Sequence, residues 1–184
     1  ARVVEEKPMD EVKPRARGRS KAEGKPGDVA GVRLTSPERI VFEGQGITKR
    51  DLAEYYVLVA ERMLVHAARR PLSLVRCPQG GQKACFFQKH DTGGFPDAIG
   101  HVDVTEKDGE KAVYLSVSNA AGLVAALQMN TLEFHIWGSR NDRLEHPDRI
   151  VFDFDPDESL VFDDVKRAAR ELGDRLAEVG LVTF

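Results

Sequence analysis

The feature that most constrains the fold is an apolar stretch near the end of the chain that carries two aspartates. Residues 149–156 have the sequence Arg-Ile-Val-Phe-Asp-Phe-Asp-Pro. Because side chains alternate between the two faces of a β-strand, Asp153 and Asp155 would share one face, and Phe152 and Phe154 the other. The two Asp α-carbons would lie roughly 7 Å apart, twice the rise per residue. The stretch therefore predicts a buried strand that brings two carboxylates together and ends at its proline.

Two neighbouring carboxylates are costly to bury unless a divalent cation lies between them. The first chemistry that fits is two-metal nucleotidyl transfer, in which carboxylates hold Mg²⁺ or Mn²⁺ against a triphosphate. The second is an aspartyl-phosphate phosphatase, although that class has Thr or Val at the position of Asp157. The third is a calcium loop, although Glu158 stands where that loop needs glycine. They are favoured in that order, and the alternative to all three is a strand end with both carboxylates solvated.

The composition is that of a globular protein with unevenly distributed charge. The 184 residues suit one domain with additional segments, and a hydrophobic content of 41% is enough for a core. The formal charge of −3 does not by itself indicate a nucleic-acid-binding protein, but Lys and Arg dominate the first segment and acids dominate after Asp142. No apolar run is long enough to span a bilayer and no signal-peptide pattern occurs, so no membrane association is predicted.

Residues 1–33 are predicted to form a flexible basic linker. They mix prolines and glycines with Lys and Arg, and they have almost no aromatic or branched apolar residue to bury. A tether that touches nucleic acid non-specifically is one interpretation, and a solvated interdomain linker is the favoured one. The folded domain is expected over residues 34–184. Because the sequence begins with Ala and ends on an apolar run, we expect a piece of a longer polypeptide.

Hydrophobic spacing and capping signals predict alternating strands and helices. Thr48, followed by Asp51 three residues later, resembles a helix-capping box, and Ser118 is the expected cap of a second helix. Helices are predicted at residues 48–68, 118–130 and from 157 or 159 to 179. Strands are predicted at residues 40–42, 71–78, 84–90, 111–117, 132–137, 149–156 and 181–184. The fold class that follows is α/β (α+β), with a mixed β-sheet flanked by helices.

Adjacent Phe86 and Phe87 must point to opposite faces of the predicted strand at residues 84–90. One ring can fill the core, and the other, beside Lys89, would form a platform for base stacking. The alternative is that both rings are buried between layers. Arg76 shares its strand face with apolar residues, so its charge should emerge at the strand end.

The two cysteines and the histidine beside a tryptophan carry weaker signals. Cys77 and Cys85 form no CxxC motif and match no zinc spacing, which predicts reduced core thiols in a cytosolic protein. His135 would share a strand face with Glu133 and Trp137, where a lone histidine is usually structural.

Several of these stretches, in this order and at this approximate spacing, resemble a known protein family. They are Pro37–Phe42, Gly46–Lys49, Tyr55–Tyr56, Arg70–Pro78, Phe86–His90, Glu133–Trp137 and Asp148–Pro156. The set resembles the polymerase domain of bacterial end-joining DNA ligases (LigD-type), which belongs to the archaeo-eukaryotic primase superfamily. The resemblance covers residues 31–184. Each motif is weak alone, but the set is specific.

The resemblance implies templated addition of dNTPs or rNTPs at broken DNA ends, with Mn²⁺ or Mg²⁺ as cofactor and Mn²⁺ preferred. It implies that Asp153 and Asp155 are two of three metal-binding carboxylates and that His135 lies near the phosphates of the incoming nucleotide. The implied DNA-binding residues are Arg39, Lys49, Arg76, Phe86, Phe87 and Lys89. The basic residues would grip the template strand or a 5′-phosphate, and the phenylalanines would stack against the DNA end.

The chain departs from the family pattern at its end. A glycine-rich segment that contacts the nucleotide, and the third carboxylate, would both follow residue 184, so the chain resembles the N-terminal half of the catalytic module. We expect such a fragment to bind DNA ends with a 5′-phosphate, to be inactive alone, and to form a homodimer through exposed apolar sheet surface. Further implied partners are the end-binding Ku protein and a covalently linked ligase domain, in the bacterial cytoplasm and at the nucleoid.

Two other functions stay open at this point. A non-catalytic DNA-end-binding module predicts recognition of the 5′-phosphate without nucleotide binding. An Asp-x-Asp phosphatase predicts hydrolysis of phosphate esters without DNA, and this activity would be lost in Asp153→Asn.

Overall fold

The computed structural model describes residues 27–81 and 84–184. The strands of this part are β1 (Asp28–Val29), β2 (Val32–Arg33), β3 (Ile40–Phe42), β4 (Ile47–Thr48), β5 (Leu72–Arg76), β6 (Phe86–Gln88), β7 (Gly100–Thr105), β8 (Lys111–Ser116) and β9 (Thr131–Ile136). The helices are α1 (Lys49–Ala67), α2 (Ala120–Gln128) and α3 (Phe162–Glu178). The predicted α/β class is confirmed. Most of the predicted linker, residues 1–26, lies outside the described residues.

The largest sheet is built around β5. On one edge of β5, Leu74 pairs with Phe134 of β9. On the other edge, Leu74 pairs with Gln88 of β6. On that same edge, past the end of β6, Leu72 pairs with Leu115 of β8. β7 pairs with β8 along its full length. All these ladders are antiparallel, and a parallel component appears as an isolated bridge outside them, between the end of α1 and the end of β8.

One face of this sheet packs against α1 and α2 and forms the hydrophobic core. Its buried residues come mainly from β5, β8 and the two helices, and they include Ala53, Tyr56, Ala60, Leu72, Leu74, Leu115, Leu123, Val124 and Leu127. The Tyr56 hydroxyl donates to the Leu132 carbonyl at 2.9 Å, and burial raises the pKa of that phenol. Alternation along β5 directs Val75 to the opposite face, where its partners Phe87 and Glu133 are exposed.

Helix α1 begins as its sequence predicts. The Thr48 hydroxyl accepts from the Asp51 backbone N–H, and the Asp51 carboxylate accepts from the Thr48 backbone N–H, which completes the capping box. The second helix is capped by Asn119 and not by Ser118, because the Asn119 side chain accepts from the Gly122 backbone N–H at 2.9 Å. None of the helices in the described ranges is long and apolar enough to cross a membrane.

The folded part begins earlier than the sequence indicates. β1 and β2 form a hairpin, and the Leu34 backbone N–H donates to the Gly27 carbonyl at 3.1 Å. Val32 and Leu34 are buried in the same core cluster as the helices. Residues 27–33, which were predicted to belong to the linker, therefore belong to the packed domain.

The predicted strand at residues 149–156 is wrong, as is the one at residues 181–184. Neither segment pairs with another strand, and residues 150–161 are exposed throughout. The alternating pattern specifies what a strand would bury, but no described strand offers the backbone partners that a ladder needs. Helix α3 forms after this segment as predicted, and none of its residues is buried.

Candidate nucleic-acid interface

The end of the sheet carries two exposed aromatic residues, one on each face of a strand. Phe86 and Phe87 lie on β6, and they are 47% and 69% exposed although both are large and apolar. Phe87 pairs with Val75 across the ladder, and its ring meets the His135 imidazole edge-on with centroids 5.3 Å apart. The alternative in which both rings are buried is therefore wrong for these two residues.

Arg76 lies at the end of β5, directly opposite Phe86. Its guanidinium carbon is 5.4 Å from the centroid of the Phe86 ring and 5.6 Å from that of Phe95. Its side chain also donates to the Met129 carbonyl at 2.7 Å and to the Gln88 side-chain oxygen. Partial burial lowers the pKa of this guanidinium, which stays a cation. Arg76 is thus the last residue of β5, but its guanidinium is only partly exposed and lies close to two aromatic rings.

Lys89 follows Phe87 by two residues and belongs to a cluster of polar groups around Glu106. The Glu106 carboxylate accepts from Tyr114 at 2.7 Å and from Lys89 at 3.0 Å, and it lies 3.0 Å from the ring nitrogen of His90. These bonds, that of Tyr114 above all, lower the pKa of Glu106 to about 2. The bond to Glu106 in turn raises the pKa of Lys89. The Lys89 side chain remains 48% exposed, so its ammonium can also face a ligand.

Arg39 and Lys49 form a second basic group, between β3 and the start of α1. The Arg39 guanidinium donates to the Pro78 carbonyl at 2.8 Å and to the Asn130 side chain at 2.5 Å, while its Nε is buried without a hydrogen-bond partner among the described residues. Lys49 is only 3% exposed. Burial, followed by the charge of Arg39, lowers its pKa to about 8.

The Lys49 ammonium makes three hydrogen bonds within the protein. It donates to the Thr35 carbonyl at 3.2 Å, to the Gln128 carbonyl at 2.9 Å and to the Gln128 side-chain oxygen at 2.8 Å. These bonds join the segment before β3 to the end of α2. In this structure the ammonium is thus turned inward, and DNA contact by Lys49 stays a prediction.

The predicted catalytic residues are exposed and lie on separate elements. His135 projects from β9, pairs with Ser73 across the ladder, and its Nε2 lies 2.8 Å from the Glu133 carboxylate. Asp153 and Asp155 lie on the unpaired segment before α3. Asp155 also borders a small, mainly apolar pocket of about 220 Å³ that includes Leu160 and Val165. Within residues 27–81 and 84–184, no three His, Cys, Asp or Glu side chains converge as a metal site would require.

Comparison with known proteins identifies the family. Residues 48–184 match the sequence profile described as "LigD, primase-polymerase domain". The chain belongs to the LigD primase–polymerase domain family. It is 36% identical over 155 residues to the Pseudomonas aeruginosa "Multifunctional non-homologous end joining protein LigD", which covers 84% of this chain and 18% of that protein. It is 34% identical over 161 residues to a Mycobacterium tuberculosis "Multifunctional non-homologous end joining DNA repair protein LigD". This match covers 83% of the chain and 21% of that protein.

The structure also resembles a solved member of the LigD family. It matches the "Polymerase Domain from Mycobacterium tuberculosis Ligase D in complex with DNA" with a TM-score of 0.68 and 29% identity, over 83% of this chain and 56% of that one. The chain thus spans about a fifth of the LigD relatives that it matches and about half of the solved domain. The resemblance inferred from the sequence motifs is confirmed, which sets aside the phosphatase and the calcium loop.

The aspartate pair has the donor chemistry of a divalent-cation site but, among the described residues, not a complete ligand set. Mg²⁺ and Mn²⁺ prefer oxygen ligands, and Mg²⁺ is often held by one or two carboxylates together with substrate phosphates and water. Asp153 and Asp155 fit that pattern because both carboxylates are exposed and separated by a single residue. A third protein ligand is absent from their surroundings among the described residues.

The cysteine prediction for this LigD-type domain is wrong, because Cys77 and Cys85 form a disulfide in the structure. The chain turns back between β5 and β6, and this brings the two α-carbons to 4.3 Å although they are eight positions apart in sequence. The disulfide could have been predicted from one sequence signal, which is that the two cysteines lie on either side of a Gly-Gly turn between two adjacent strands. No such signal predicts that Glu106, Gln128 and Asn130 hold the basic side chains, because their partners are distant in sequence.

Proposed function

We propose that this chain is the DNA-end-binding part of a DNA repair polymerase that acts in bacterial non-homologous end joining. The observation that carries the proposal is the exposed Phe86–Phe87 pair, flanked by the cations of Arg76 and Lys89. Family membership and the likeness to a polymerase domain in complex with DNA support the same function. A DNA end with a 5′-phosphate is the proposed ligand.

The exposed ring of Phe87 suits the exposed face of a terminal base pair. Two large apolar rings in water are unfavourable unless a partner covers them, and a base stacked on an aromatic ring contributes about 1–3 kcal/mol. Phe87 has the more open position, while Phe86 is held by the guanidinium of Arg76. We therefore assign the stacking contact with the terminal base to Phe87, and Arg76 and Lys89 to the adjoining backbone phosphates.

The 5′-phosphate is assigned to Arg39. A terminal phosphate carries more charge than a backbone phosphate and suits the guanidinium fork. Hydrogen bonds to Pro78 and Asn130 fix two of the Arg39 nitrogens and hold the guanidinium in place, while the residue remains partly exposed. Lys49 supports this site from behind by ordering the segment that precedes Arg39. It also adds positive charge whenever it is protonated.

For the chemical step, we propose that Asp153 and Asp155 hold Mn²⁺ or Mg²⁺ and that His135 faces the phosphates of an incoming dNTP or rNTP. A bound cation of this kind stabilises charge on the triphosphate and lowers the pKa of an attacking primer hydroxyl. Glu133 fixes the orientation of the His135 ring. Because no third metal ligand lies nearby in the described part, we propose that this chain does not complete nucleotide addition alone.

The partners proposed for the longer protein follow from its relatives. Because the chain spans about a fifth of multifunctional end-joining proteins, we propose a covalently linked ligase domain and the end-binding Ku protein as partners. The proposed place of action is at broken DNA ends in the bacterial nucleoid.

Fluorescence anisotropy on a recessed DNA end, with and without the 5′-phosphate and across a salt series, tests the proposal. We expect a preference for the phosphorylated end that weakens with salt. Arg39→Ala should lower the affinity for the phosphorylated end by about tenfold, because a charged hydrogen bond is lost. Arg62→Ala is the matched control, since it removes the same charge thirteen residues beyond Lys49 on α1, roughly 20 Å along the axis.

Equal affinity for the two ends, or equal losses in Arg39→Ala and Arg62→Ala, would contradict the assignment. The non-catalytic end-binding module remains the second candidate, because no three metal-binding side chains converge in the described residues. Binding of a labelled nucleotide that requires Mn²⁺ and is lost in Asp153→Asn would favour the polymerase. Phosphate-dependent DNA binding without any such nucleotide binding would favour the second candidate.

A further inference from the structure

The Cys77–Cys85 disulfide closes the connection between β5 and β6, next to the aromatic pair. The two cysteines differ in accessibility, because Cys77 is 3% exposed whereas Cys85 is exposed. Cys85 directly precedes Phe86, and Cys77 directly follows Arg76. The disulfide therefore joins the ends of the two strands that carry the proposed DNA-binding side chains.

The first half of this connection is fixed to the rest of the fold. The Cys77 backbone N–H donates to the Asn130 carbonyl at 2.8 Å, and the Gly81 backbone N–H donates to the Val41 carbonyl at 2.9 Å. A Cβ on Gly81 would lie 2.7 Å from the ring of Phe42, so the backbone approaches β3 as closely as glycine allows. Cys77 is thus part of a firmly held segment.

That segment also supports the guanidinium assigned to the 5′-phosphate. Arg39 donates to the carbonyl of Pro78, the residue after Cys77, and to the side chain of Asn130. On the other side of the disulfide, β6 pairs with β5 over only three residues. The disulfide therefore couples the short strand that carries Phe86 and Phe87 to the anchored segment beside Arg39.

We propose that Cys77 and Cys85 are a reversible thiol–disulfide pair that reacts with a low-molecular-mass disulfide of the glutathione type, and that its oxidised form orders β6 for DNA-end binding. The DNA part of this inference rests on the proposed function. A reversible role fits the expected compartment, because disulfides in reducing compartments are usually transient or redox-sensing. Neither the aromatic pair nor the basic residues by themselves require such a bond.

The unequal accessibility sets the order of the chemical steps. The exposed Cys85 thiolate attacks one sulfur of the oxidant, forms a mixed disulfide and releases one thiolate. The buried Cys77 thiolate then attacks the Cys85 sulfur and releases the second thiolate. The two cysteines lose two electrons and two protons in total, and the oxidant is reduced to two thiols. A thiol reductant reverses the sequence by attacking the same exposed sulfur.

Mass spectrometry of the reduced chain after exposure to glutathione disulfide tests the pair. We expect the wild-type chain to lose both free thiols without a lasting gain of glutathione. Cys77→Ser should add one glutathione on Cys85, and Cys85→Ser should react much more slowly because Cys77 is buried. A stable adduct on the wild type, or equal reaction of the two single variants, would overturn the proposed pair.

Amide hydrogen exchange and DNA binding test what the oxidised form does. We expect slower exchange for residues 86–88 in the oxidised chain, and affinity for the phosphorylated DNA end about tenfold higher than in the reduced chain or in Cys85→Ser. Equal exchange in the two forms would overturn the ordering of β6. If both forms bind equally while Arg39→Ala weakens binding, the redox coupling fails and the proposed function stands. If neither form prefers the phosphorylated end, the proposed function fails, and the exchange comparison decides the ordering alone.

Discussion

Lys49 is a basic residue that supports a proposed DNA-binding surface from inside the protein. Its ammonium joins Thr35, which precedes β3, to Gln128 at the end of α2. Burial disfavours the charged form, and this is the main reason that its pKa falls from 10.5 to about 8. Near neutral pH the folded protein therefore carries a largely protonated lysine at a cost in stability, offset by its three hydrogen bonds.

The depressed pKa of Lys49 predicts a rise of stability with pH. Between about pH 8 and 10.5 this lysine is protonated in the unfolded chain and largely neutral in the folded one. Because the unfolded state then binds more protons, the free energy of unfolding should increase with pH, by up to roughly 3 kcal/mol over this range. Urea unfolding at several pH values, compared between the wild type and Lys49→Met, isolates the contribution of this group.

The control for Lys49→Met is Lys111→Met, which removes an exposed lysine at the start of β8. Lys111→Met should keep the pH dependence of the wild type, whereas Lys49→Met should lose the increase. A pH dependence shared by all three proteins would show that Lys49 does not titrate as the structure requires.

At the scale of elements, the sequence predicted those whose signals are local. The capping box of α1 and the apolar face of β5 depend on residues within a few positions of one another, and the structure confirms both. The pattern at residues 149–156 failed because strand formation also depends on a partner that alternation does not reveal. β7 was missed although Val102 and Val104 alternate with polar residues, because two apolar residues make only a short signal.

The candidate site divides in the same way. The exposure of Phe87 and the position of Arg76 at a strand end follow from alternation along β6 and β5, and sequence reasoning reached them. Lys49 is buried against Gln128, which is 79 positions away in sequence. Lys89 forms an ion pair with Glu106, which is 17 positions away. Such contacts depend on the tertiary fold, and no local sequence pattern predicts them.

Gly138 lies where the connection between β9 and the segment that carries the aspartates packs closely against itself. A Cβ at this position would lie 2.3 Å from the Arg149 carbonyl oxygen, which is far closer than a van der Waals contact. The Gly138 carbonyl also accepts from the buried Arg70 at 2.6 Å and from the Asp148 backbone N–H at 3.1 Å. Arg70 in turn pairs with the Asp148 carboxylate, which lowers the pKa of that group.

We expect Gly138→Ala to lower the free energy of unfolding by about 1–3 kcal/mol, because the backbone of Arg149 must move away. Urea unfolding followed by circular dichroism measures the change. Gly173→Ala, within α3, is the matched control. The added Cβ would meet only the Thr183 side chain, at an ordinary van der Waals distance of 3.6 Å. That variant should be neutral or slightly stabilising, because alanine favours a helix over glycine. Equal losses in the two variants would contradict the predicted steric clash.

At the scale of the whole molecule, burial is concentrated before residue 149 and apolar exposure after it. The core cluster draws its buried residues from positions 32–127, whereas α3 has none. Val151 and Val182 are each 79% exposed and Phe162 is 73% exposed. The backbone of residues 150–156 also lacks ladder partners in the described part of the chain. An apolar segment of this kind, whose backbone lacks ladder partners, is a template for pairing with another chain.

This distribution predicts that the isolated chain associates with a second copy through residues 150–154. Edge-to-edge pairing of two such segments would satisfy their backbone groups and cover apolar side chains of both copies. Sedimentation velocity over a concentration series should show a monomer–dimer equilibrium, and Val151→Lys should shift it towards the monomer because two lysines would then meet at the contact. Leu58→Lys is the control, since it places the same charge at an 80% exposed position on α1 and should leave the equilibrium unchanged. A wild-type chain that stays monomeric throughout the series, or one that Leu58→Lys dissociates equally well, would show that this segment does not drive association.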